Sequence, residues 1–505
     1  MPSGVGRTPG VTRPHSSSDV ASVRVNLIAQ LVDSYLGLIL QIASAAIIAR
    51  LLSPNEIGIF SVAAVIAAVA SQFRDFGLGE YLIQEHELTP RKVRAAMAVN
   101  IITSWFMALV FVATSWHVAE FYRQPGVGEV MRLQAVNFLI VPFGAVTMAY
   151  FRRELSYRPI LIASIFANMA SFTVAVGGAL LGLSYMSLAW STLCGLVVTV
   201  AVSMWFRPSE LPRWPALSGL LDVVAFSKHA MGIYFVEQIG KGAPEAVIGR
   251  VMDMASVAFF SRANGLMEIF NRTVLRAVLP VCLPFFARSA RAGESTIPGY
   301  LKATTLLTGV GWPFFLVVGT LAFSVIRLLY GAQWEAATHI AQILSLAAVI
   351  ELPYWLTKEV MIAVGRIDQA NRLQFCVQGF RVLGLALVFP FGLSGACWGL
   401  VVAGVAGGFV SQRFLRAAIG LRLRDLARAC LPSAIVSLGT AAPVLAATML
   451  VQQTHANYLW FLAFGTMLAT VMWLILLCVM RHPFWHEILH LCSSIVSRFR
   501  STASL

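Results

Sequence analysis

Fourteen apolar segments, each long enough to cross a membrane, determine what this chain can fold into. A span needs about 20 mostly apolar residues, and its backbone groups must bond to one another in lipid, so each segment is expected to be an α-helix. Only 12% of the 505 residues are charged and 58% are hydrophobic, which excludes an ordinary soluble domain. The sequence predicts an all-α polytopic membrane protein with about 14 transmembrane helices at 25–49, 57–79, 95–116, 133–151, 160–182, 185–206, 229–250, 255–279, 303–326, 338–362, 372–391, 395–415, 429–450 and 457–480.

The distribution of lysine and arginine predicts the orientation of these helices. With the N-terminus in the cytoplasm, inside loops and tails hold 27 of the 37 basic residues, outside loops hold five, and five lie within helices. Because cytoplasmic loops carry the basic excess, both termini are predicted to lie inside. The net charge of +14 is thus explained by topology, and we expect no nucleic-acid partner.

Two pairs of stretches repeat along the chain. Residues 46–63 match residues 246–263 without gaps at six identical positions, and residues 121–134 match residues 329–342 more weakly in the same order. The alternative is chance similarity among apolar segments. Because six helices separate the copies, a true repeat predicts two six-helix lobes related by an axis along the membrane normal, followed by two further helices. The matched pairs include Arg50/Arg250, Ser61/Ser261 and Tyr122/Tyr330.

Four motifs in a fixed order carry a family resemblance. They are ARLLSPNEIGIF (49–60), FRDFGLGEYLIQ (73–84), IGRVMDMASVAFFSRANGL (248–266) and LYGAQWEAA (329–337). No single motif is specific, but the ordered set over residues 24–480 resembles the polysaccharide-transporter, or Wzx-type oligosaccharide flippase, family of the multidrug/oligosaccharidyl-lipid/polysaccharide exporter superfamily.

The resemblance implies a function, a location and partners. It implies a multi-pass protein of the bacterial inner membrane that turns an undecaprenyl-pyrophosphate-linked oligosaccharide to the periplasmic leaflet by alternating access between two lobes. The implied partners are that glycan, membrane lipids, and a polysaccharide polymerase and co-polymerase. Relatives often carry an Asp about six residues before the Gly-Arg of the seventh helix, where this chain has Pro244 and Glu245. Either Glu245 replaces that acid or its role is absent.

The predicted helices and charge runs divide the chain into seven parts. A Gly-, Pro- and Ser-rich tail precedes the first helix and is expected to be disordered in the cytoplasm. The parts are a tail (1–23), an N-lobe (24–206), a cytoplasmic linker (207–228), a C-lobe (229–415), a basic cytoplasmic loop (416–428), two C-terminal helices (429–480) and an amphipathic cytoplasmic tail (481–505).

The seventh segment, FVEQIGKGAPEAVIGR, concentrates charge in an apolar chain. Its Glu237, Lys241 and Glu245 are four residues apart and are predicted to share one helical face. Charge at membrane depth usually faces a cavity or a protein interior. One interpretation is a cavity lining that binds phosphate or sugar hydroxyls; the other is a structural ion ladder near the helix end. Further cavity candidates from the first helix are Arg24, Asp33 and Gln41.

Other charged residues have two interpretations each. Arg74 with Asp75 is either an ion pair at the cytoplasmic mouth or a helix-end anchor. Arg272 and Arg276, on one face of the eighth segment, and Arg381 either guide a phosphate or snorkel to the interface. The acid Glu351 either carries a proton or pairs with an arginine, and Asp33 and Glu245 are further candidates for ion coupling. Arg50 and Arg250 are interpreted as a pair of structural anchors to the loop backbone at the outer mouth.

The tail sequence HEILH (486–490) matches a zinc-protease pattern of two histidines and a glutamate base. A catalytic zinc needs a third protein ligand, which only His482 or a residue far upstream could provide. The alternative is an amphipathic helix on the cytoplasmic membrane surface. The cysteines form no CxxC pair and no nucleotide-binding motif is present, so neither a metal nor a cofactor is expected.

These observations leave three function classes. The first is a lipid-linked oligosaccharide flippase that serves exopolysaccharide, capsule or O-antigen synthesis and is not an enzyme. The second is an ion-coupled drug or small-molecule exporter of the same superfamily. The third is a membrane zinc metalloprotease, which rests only on HEILH.

Overall fold

The chain is helical throughout the part of it that the structure describes. The computed structural model describes residues 35–75, 79, 81–82, 85, 88–154, 156–452, 458–490 and 493, and these contain no strand. The predicted disordered tail 1–23 and the site candidates Arg24 and Asp33 lie outside the described residues.

The observed helices follow the predicted apolar segments closely, although many extend several residues further. In chain order they are α1 (Tyr35–Leu51), α2 (Pro54–Asp75), α3 (Pro90–Tyr122), α4 (Pro125–Arg153), α5 (Tyr157–Leu180), α6 (Met186–Trp205), α7 (Leu220–Val251), α8 (Met254–Phe270), α9 (Arg276–Arg291), α10 (Ile297–Thr320), α11 (Ala322–Leu329), α12 (Ala337–Glu351), α13 (Thr357–Ala363), α14 (Ile367–Val388), α15 (Gly392–Ile419), α16 (Leu423–Gln452), α17 (Tyr458–Val479) and α18 (483–490).

Eleven helical stretches among the described residues are long and apolar enough to cross a membrane. Three further helices, α1, α7 and α14, coincide with predicted segments but miss that criterion through length or charge. A multi-pass membrane protein is therefore confirmed. The total of fourteen crossings and the orientation with both termini inside stay predictions.

Local sequence signals explain where several helices begin and end. The Thr89 side chain accepts a hydrogen bond from Lys92 N at the start of α3, and Asp253 does the same for Ser256 N, at 2.7 Å, at the start of α8. These side-chain acceptors satisfy backbone donors that have no partner within the helix. At the end of α15, Gly420 adopts the left-handed conformation with φ of 78°, which glycine adopts without steric cost.

Two predicted spans are not continuous α-helices. The eighth runs from α8 through one π-helical turn at Asn271–Leu275 into α9, and it ends at Arg291, beyond the expected residue 279. The tenth is interrupted by a 3₁₀ turn at Leu352–Tyr354, where Pro353 has no N–H to continue the α-helical ladder. Irregular backbone of this kind at membrane depth is tolerated where it lines a cavity or lies inside the protein.

The helices form two lobes that meet along α2, α7 and α8. Helix α2 packs against both α7 and α8 of the second lobe, and α7 also packs against α3 and α14. The closest approach is at Gly58, where a Cβ would lie 1.7 Å from the carbonyl oxygen of Met254. Only glycine permits this contact. The contact lies near the ends of α1 and α7, which the predicted orientation places outside, and we call it the outer end.

Two helix ends differ from the expected domain boundaries. Helix α7 begins at Leu220, nine residues before the expected start of the C-lobe at residue 229. Most of the basic segment 416–428 is helical, because α15 ends at Ile419 and α16 begins at Leu423. Arg422 lies in the short link between these helices, and Arg416, Arg424 and Arg428 lie within them.

The described part of the C-terminal tail docks onto the protein, where His482 and Glu487 of the supposed zinc site make other contacts. His482 is fully buried: its Nε2 lies 3.0 Å from Ser433 Oγ, and its Nδ1 accepts from Phe484 N at 3.2 Å. The Glu487 carboxylate pairs with Lys302 Nζ at 3.0 Å, so the supposed zinc base is engaged in an ion pair. Burial lowers the pKa of His482, consistent with a neutral ring. No metal-binding group of His, Cys, Asp or Glu occurs among the described residues.

Candidate translocation cavity and outer clasp

The three charges of the seventh segment lie along one continuous helix but contact different neighbours. Lys241 Nζ pairs with Glu237 at 2.8 Å, and the Lys241 side chain is 55% exposed. Glu245 lies instead beside Ser261 and Arg262 of α8. Positions eight apart on a helix differ by about 80° around the axis and about 12 Å along it, so Glu237 and Glu245 reach different neighbours.

Glu237 belongs to a four-charge cluster that the sequence did not predict. Lys358 Nζ of α13 donates to its second carboxylate oxygen at 2.9 Å, so Glu237 is bound by two lysines. Glu359, which is 8% exposed, lies 3.8 Å from the same lysine. Lys358 is 121 residues from Glu237 in sequence, and no local pattern links them. The cluster supports the ion-ladder interpretation for Glu237 and Lys241.

A central cavity of about 580 Å³ lies between the two lobes near their outer end. Its walls come from α1 and α2 of the first lobe, from α7 and α8 of the second, and from the end of α11. The repeat-matched Ser61 and Ser261 both line it. Beside three serines, Tyr330 and apolar side chains, its charged and amide groups are Gln41, Glu245, Arg262 and Arg272.

Two of the predicted cavity residues meet directly across the lobe interface. The Arg272 guanidinium, on the π-helical turn, donates a hydrogen bond to the Gln41 side-chain oxygen of α1. The π turn adds one residue to the helix and shifts the direction of the following side chains. Arg276, four residues further, is exposed and is not part of the cavity lining. Of the two predicted arginines, Arg272 therefore lines the cavity and Arg276 does not.

Arg262 is a cavity residue that the sequence reasoning did not select. Its guanidinium carbon lies 5.5 Å from the Tyr330 ring centroid and 5.6 Å from that of Trp334, within cation–π range. Its Nε is buried and has no hydrogen-bond partner in the described structure. The available signal was the presence of an arginine inside an apolar helix, which by itself indicates function.

The remaining predicted acids and bases lie away from this cavity. Glu351 and Arg381 line a small pocket inside the second lobe, together with Asn264, Glu268 and Asn271. There the Asn271 amide donates to Glu268 at 3.0 Å. The structure thus brings Glu351 and Arg381 together, but not with Arg272.

Arg74 lies inside the first lobe. Its guanidinium is 5.6 Å from the Phe138 ring centroid of α4, and its carbonyl oxygen accepts from Thr103 of α3 at 3.1 Å. These contacts fix the end of α2 against two helices of the same lobe. The side chain of Asp75, its expected partner, lies outside the described residues.

The end of α1 and the second lobe are joined by side-chain donors from both sides. Arg50 donates to the Leu328 carbonyl at 2.6 Å, and the Trp334 indole N–H donates to the Ala49 carbonyl at 2.7 Å. Gln333 donates to the carbonyls of Ala49 and Leu52 at 2.6 and 3.2 Å. Carbonyls at a helix C-terminus have no partner within the helix, so these donors replace water there.

The end of α7 is held by the first lobe in a related way. The Tyr122 hydroxyl donates to the Ala246 carbonyl at 3.2 Å, and the Arg250 guanidinium lies 4.9 Å from the Phe121 ring centroid. Each lobe therefore grips the first helix of the other. We call these reciprocal contacts, made by residues 121–122 and 328–334, the outer clasp.

The cavity and the cross-lobe contacts together define a class of protein. A polar cavity between two helical lobes, closed at one end by cross-lobe contacts, is the arrangement of an alternating-access membrane transporter. Residues 47–339 match the family described as "Polysaccharide biosynthesis protein", which is more than half of the chain. The chain belongs to that family, and it is a multi-pass membrane transporter.

Named relatives agree with this assignment. The chain is 22% identical over 345 residues to the teichuronic acid biosynthesis protein TuaB of Bacillus subtilis, covering 66% of this chain and 69% of the relative. It is 26% identical over 319 residues to the succinoglycan biosynthesis transport protein ExoT of Rhizobium meliloti, covering 62% and 64%. It is 19% identical over 356 residues to the lipopolysaccharide biosynthesis protein WzxC of Escherichia coli, covering 69% and 70%.

Solved structures share the fold. The lipid II flippase MurJ, in an inward closed conformation, superposes with a TM-score of 0.70 over 92% of this chain and 99% of MurJ, at 13% identity. An inward-facing multidrug resistance MATE family transporter gives a TM-score of 0.58 over 78% and 98%, at 14% identity. At such identities the likeness establishes the two-lobed architecture.

Proposed function

We propose that this protein flips an undecaprenyl-diphosphate-linked oligosaccharide repeat unit from the cytoplasmic to the periplasmic leaflet of the bacterial inner membrane. The glycan feeds exopolysaccharide, capsule or O-antigen synthesis, and a polymerase with its co-polymerase uses it afterwards. The two lobes, formed by helices α1–α6 and α7–α15, are the bodies that move. The observation that carries the proposal is the cavity between the lobes, which presents Arg262, Arg272, Gln41 and Glu245 within apolar walls.

The cavity matches the mixed chemistry of a lipid-linked glycan. Arginine is always charged and offers planar paired donors that suit phosphate oxygens. Arg272, supported by Gln41, supplies such donors where α1 meets the π turn of α8. Glu245, Ser61 and Ser261 supply acceptors and donors for sugar hydroxyls, and the apolar wall between them tolerates an isoprenoid chain.

The outer clasp supplies the other requirement, a barrier on one side. Gly58 brings α2 against the backbone of α8, and the clasp covers the ends of α1 and α7. In this state a headgroup in the cavity is separated from the outer surface. Transport then requires that the clasp open while the opposite end closes.

A pair of neighbouring arginines provides a matched test. In a strain that lacks the chromosomal gene, Arg272→Ala is expected to lower surface polysaccharide at least about tenfold and to raise lipid-linked repeat units inside the cell, since a lost charge-assisted contact is worth about 1.5–3 kcal/mol. Arg276→Ala, which removes an exposed charge outside the cavity, is the control and is expected to leave export close to that of the parent. Protein abundance in the membrane is measured for each.

The same strains separate the second function class. If the deletion leaves polysaccharide and lipid-linked intermediates unchanged, flipping of a lipid-linked glycan is contradicted. Sensitivity to cationic drugs in that deletion strain would then favour a small-molecule exporter. Equal export by Arg272→Ala and the control would remove the central cavity from the transport path.

A further inference from the structure

Arg262 is the one cationic side chain of the described cavity lining that also touches the outer clasp. It lines the cavity beside Glu245 and Ser261. On its other side it lies over the rings of Tyr330 and Trp334. Arg272, the other cavity arginine, bonds to Gln41 instead.

Trp334 is the central residue of the clasp. It is fully buried, and its indole N–H donates to Ala49 at the end of α1. Its ring also lies edge-on to Tyr330, with centroids 6.1 Å apart, and to Phe259, at 5.8 Å. Its hydrogen bond to Ala49 therefore links this aromatic group to the first lobe.

Arg262 has an unused hydrogen-bond donor in this state. Its Nε is buried without a hydrogen-bond partner in the described structure, and the guanidinium lies over the faces of two rings, with Glu245 as its charged neighbour. A guanidinium offers five N–H donors and prefers paired phosphate oxygens. A polyanion in the cavity therefore competes directly with Tyr330 and Trp334 for the same cation.

We propose that Arg262 relays the arrival of a diphosphate headgroup to the outer clasp, acting as a positioning residue between the cavity and Trp334. The diphosphate draws the guanidinium off the two rings. Trp334 then loses the contact that orients its indole toward Ala49, and the remaining donors from Gln333 and Arg50 hold the end of α1 alone. The relay rests on the proposed function, since it needs a diphosphate ligand in the cavity.

The test follows ligand binding and clasp opening separately in the full-length protein. Spin labels are placed on Asn55 and Val251, two exposed residues that border one groove on the outer surface, after replacement of the exposed native cysteines. The protein is reconstituted in lipid nanodiscs. Undecaprenyl diphosphate is the probe, undecaprenyl monophosphate is the comparison ligand, and inter-label distances are measured by pulsed electron resonance.

Arg262→Lys is the principal variant because it keeps the positive charge and loses the flat guanidinium that stacks on rings. In the parent, diphosphate is expected to populate a longer outer distance. In Arg262→Lys, the dissociation constant is expected to rise because the paired donors are lost, and the long-distance population at saturating ligand is expected to fall at least about fivefold. Arg276→Lys is the matched control and is expected to behave as the parent.

Trp334→Phe examines the same relay from the clasp side. It keeps a ring over Arg262 and removes the N–H that reaches Ala49. The long outer distance is expected to appear without ligand, with diphosphate binding retained. A closed clasp in ligand-free Trp334→Phe, with the parent's full response to ligand, would overturn the relay.

Each further outcome decides between the two proposals. A parent-like opening of Arg262→Lys overturns the relay alone. If Arg262→Lys does not bind diphosphate, the Trp334→Phe variant decides the relay. A parent that binds diphosphate without a distance change overturns the relay but leaves the flippase proposal standing. A parent that does not bind diphosphate contradicts both.

Discussion

The two helix ends gripped by the outer clasp match in sequence at several positions but are held differently. At the end of α1, Arg50, Gln333 and Trp334 give four hydrogen bonds of 2.6 to 3.2 Å to backbone carbonyls. At the end of α7, the observed contacts are one hydrogen bond from Tyr122 and a stacking contact between Arg250 and Phe121. The contacts at the end of α1 are therefore mainly directional hydrogen bonds, whereas those at the end of α7 are mainly aromatic.

The second repeat explains this difference. Tyr122 aligns with Tyr330, and the next residues, Arg123 and Gly331, both have positive φ values, 53° and 97°. The backbone turn is thus kept in both copies. At the positions of the donors Gln333 and Trp334, however, the first copy has Pro125 and Gly126, whose side chains cannot donate. We infer that the grip on α1 is the stronger one and that the grip on α7 yields first.

The largest expected effect comes from Trp334→Ala. Removing a fully buried tryptophan typically costs about 3–5 kcal/mol. Trp334 is fully buried and bonds to Ala49, so the loss should fall on the stronger grip. Thermal unfolding of the purified protein should begin at a clearly lower temperature than for Phe121→Ala, which removes a half-exposed ring from the weaker grip. Equal shifts would contradict the ranking of the two grips.

Gly58→Ala should have an intermediate effect because it makes the first copy like the second. The matched residue in the second copy is Ala258, but at Gly58 a Cβ would meet the Met254 carbonyl at 1.7 Å. Overpacking of this kind costs about 1–3 kcal/mol, and here separation of the lobes relieves it.

Outer labels on Gly58→Ala should show a larger open population than on the parent. Gly265→Ala is the control, because a Cβ there meets nothing within 4 Å. A closed outer end in Gly58→Ala would show that the lobes do not need this contact.

The sequence predicts more of the fold than of the candidate site. The apolar segments predicted the helices, because lipid forces long apolar runs to satisfy their own backbone. The break at Pro353 and the π turn at Asn271–Leu275 depend on packing inside the second lobe and were not predicted.

In the site, Gln41 and Arg272 were both assigned to the cavity, and the structure joins them. The Glu237–Lys358 pair could not be predicted, because its members are distant in sequence and meet only through tertiary packing. The same holds for Arg262 and its two rings, whose relation appears only when α8 lies beside the segment after α11.

The smallest expected effect is the difference in outer-end opening between Arg50→Ala and Arg250→Ala. Arg50 donates to a carbonyl, a contact worth about 0.5–1.5 kcal/mol, whereas an exposed cation–π contact is worth about 0.5–1 kcal/mol. Arg50→Ala should therefore open the outer end slightly more often than Arg250→Ala, as read from labelling rates of a cysteine at Asn55. The reverse order would assign the stronger grip to α7.

The central claim is that transport requires the outer end to open. Cysteines at Asn55 and Val251, which border one outer groove, allow that end to be locked by a short chemical cross-link that a reductant can cleave. Flipping of undecaprenyl-diphosphate-linked oligosaccharide into the inside of proteoliposomes, or its export in cells, should stop when the cross-link forms and return after cleavage. Undiminished flipping with the outer end fully cross-linked would contradict alternating access through this cavity.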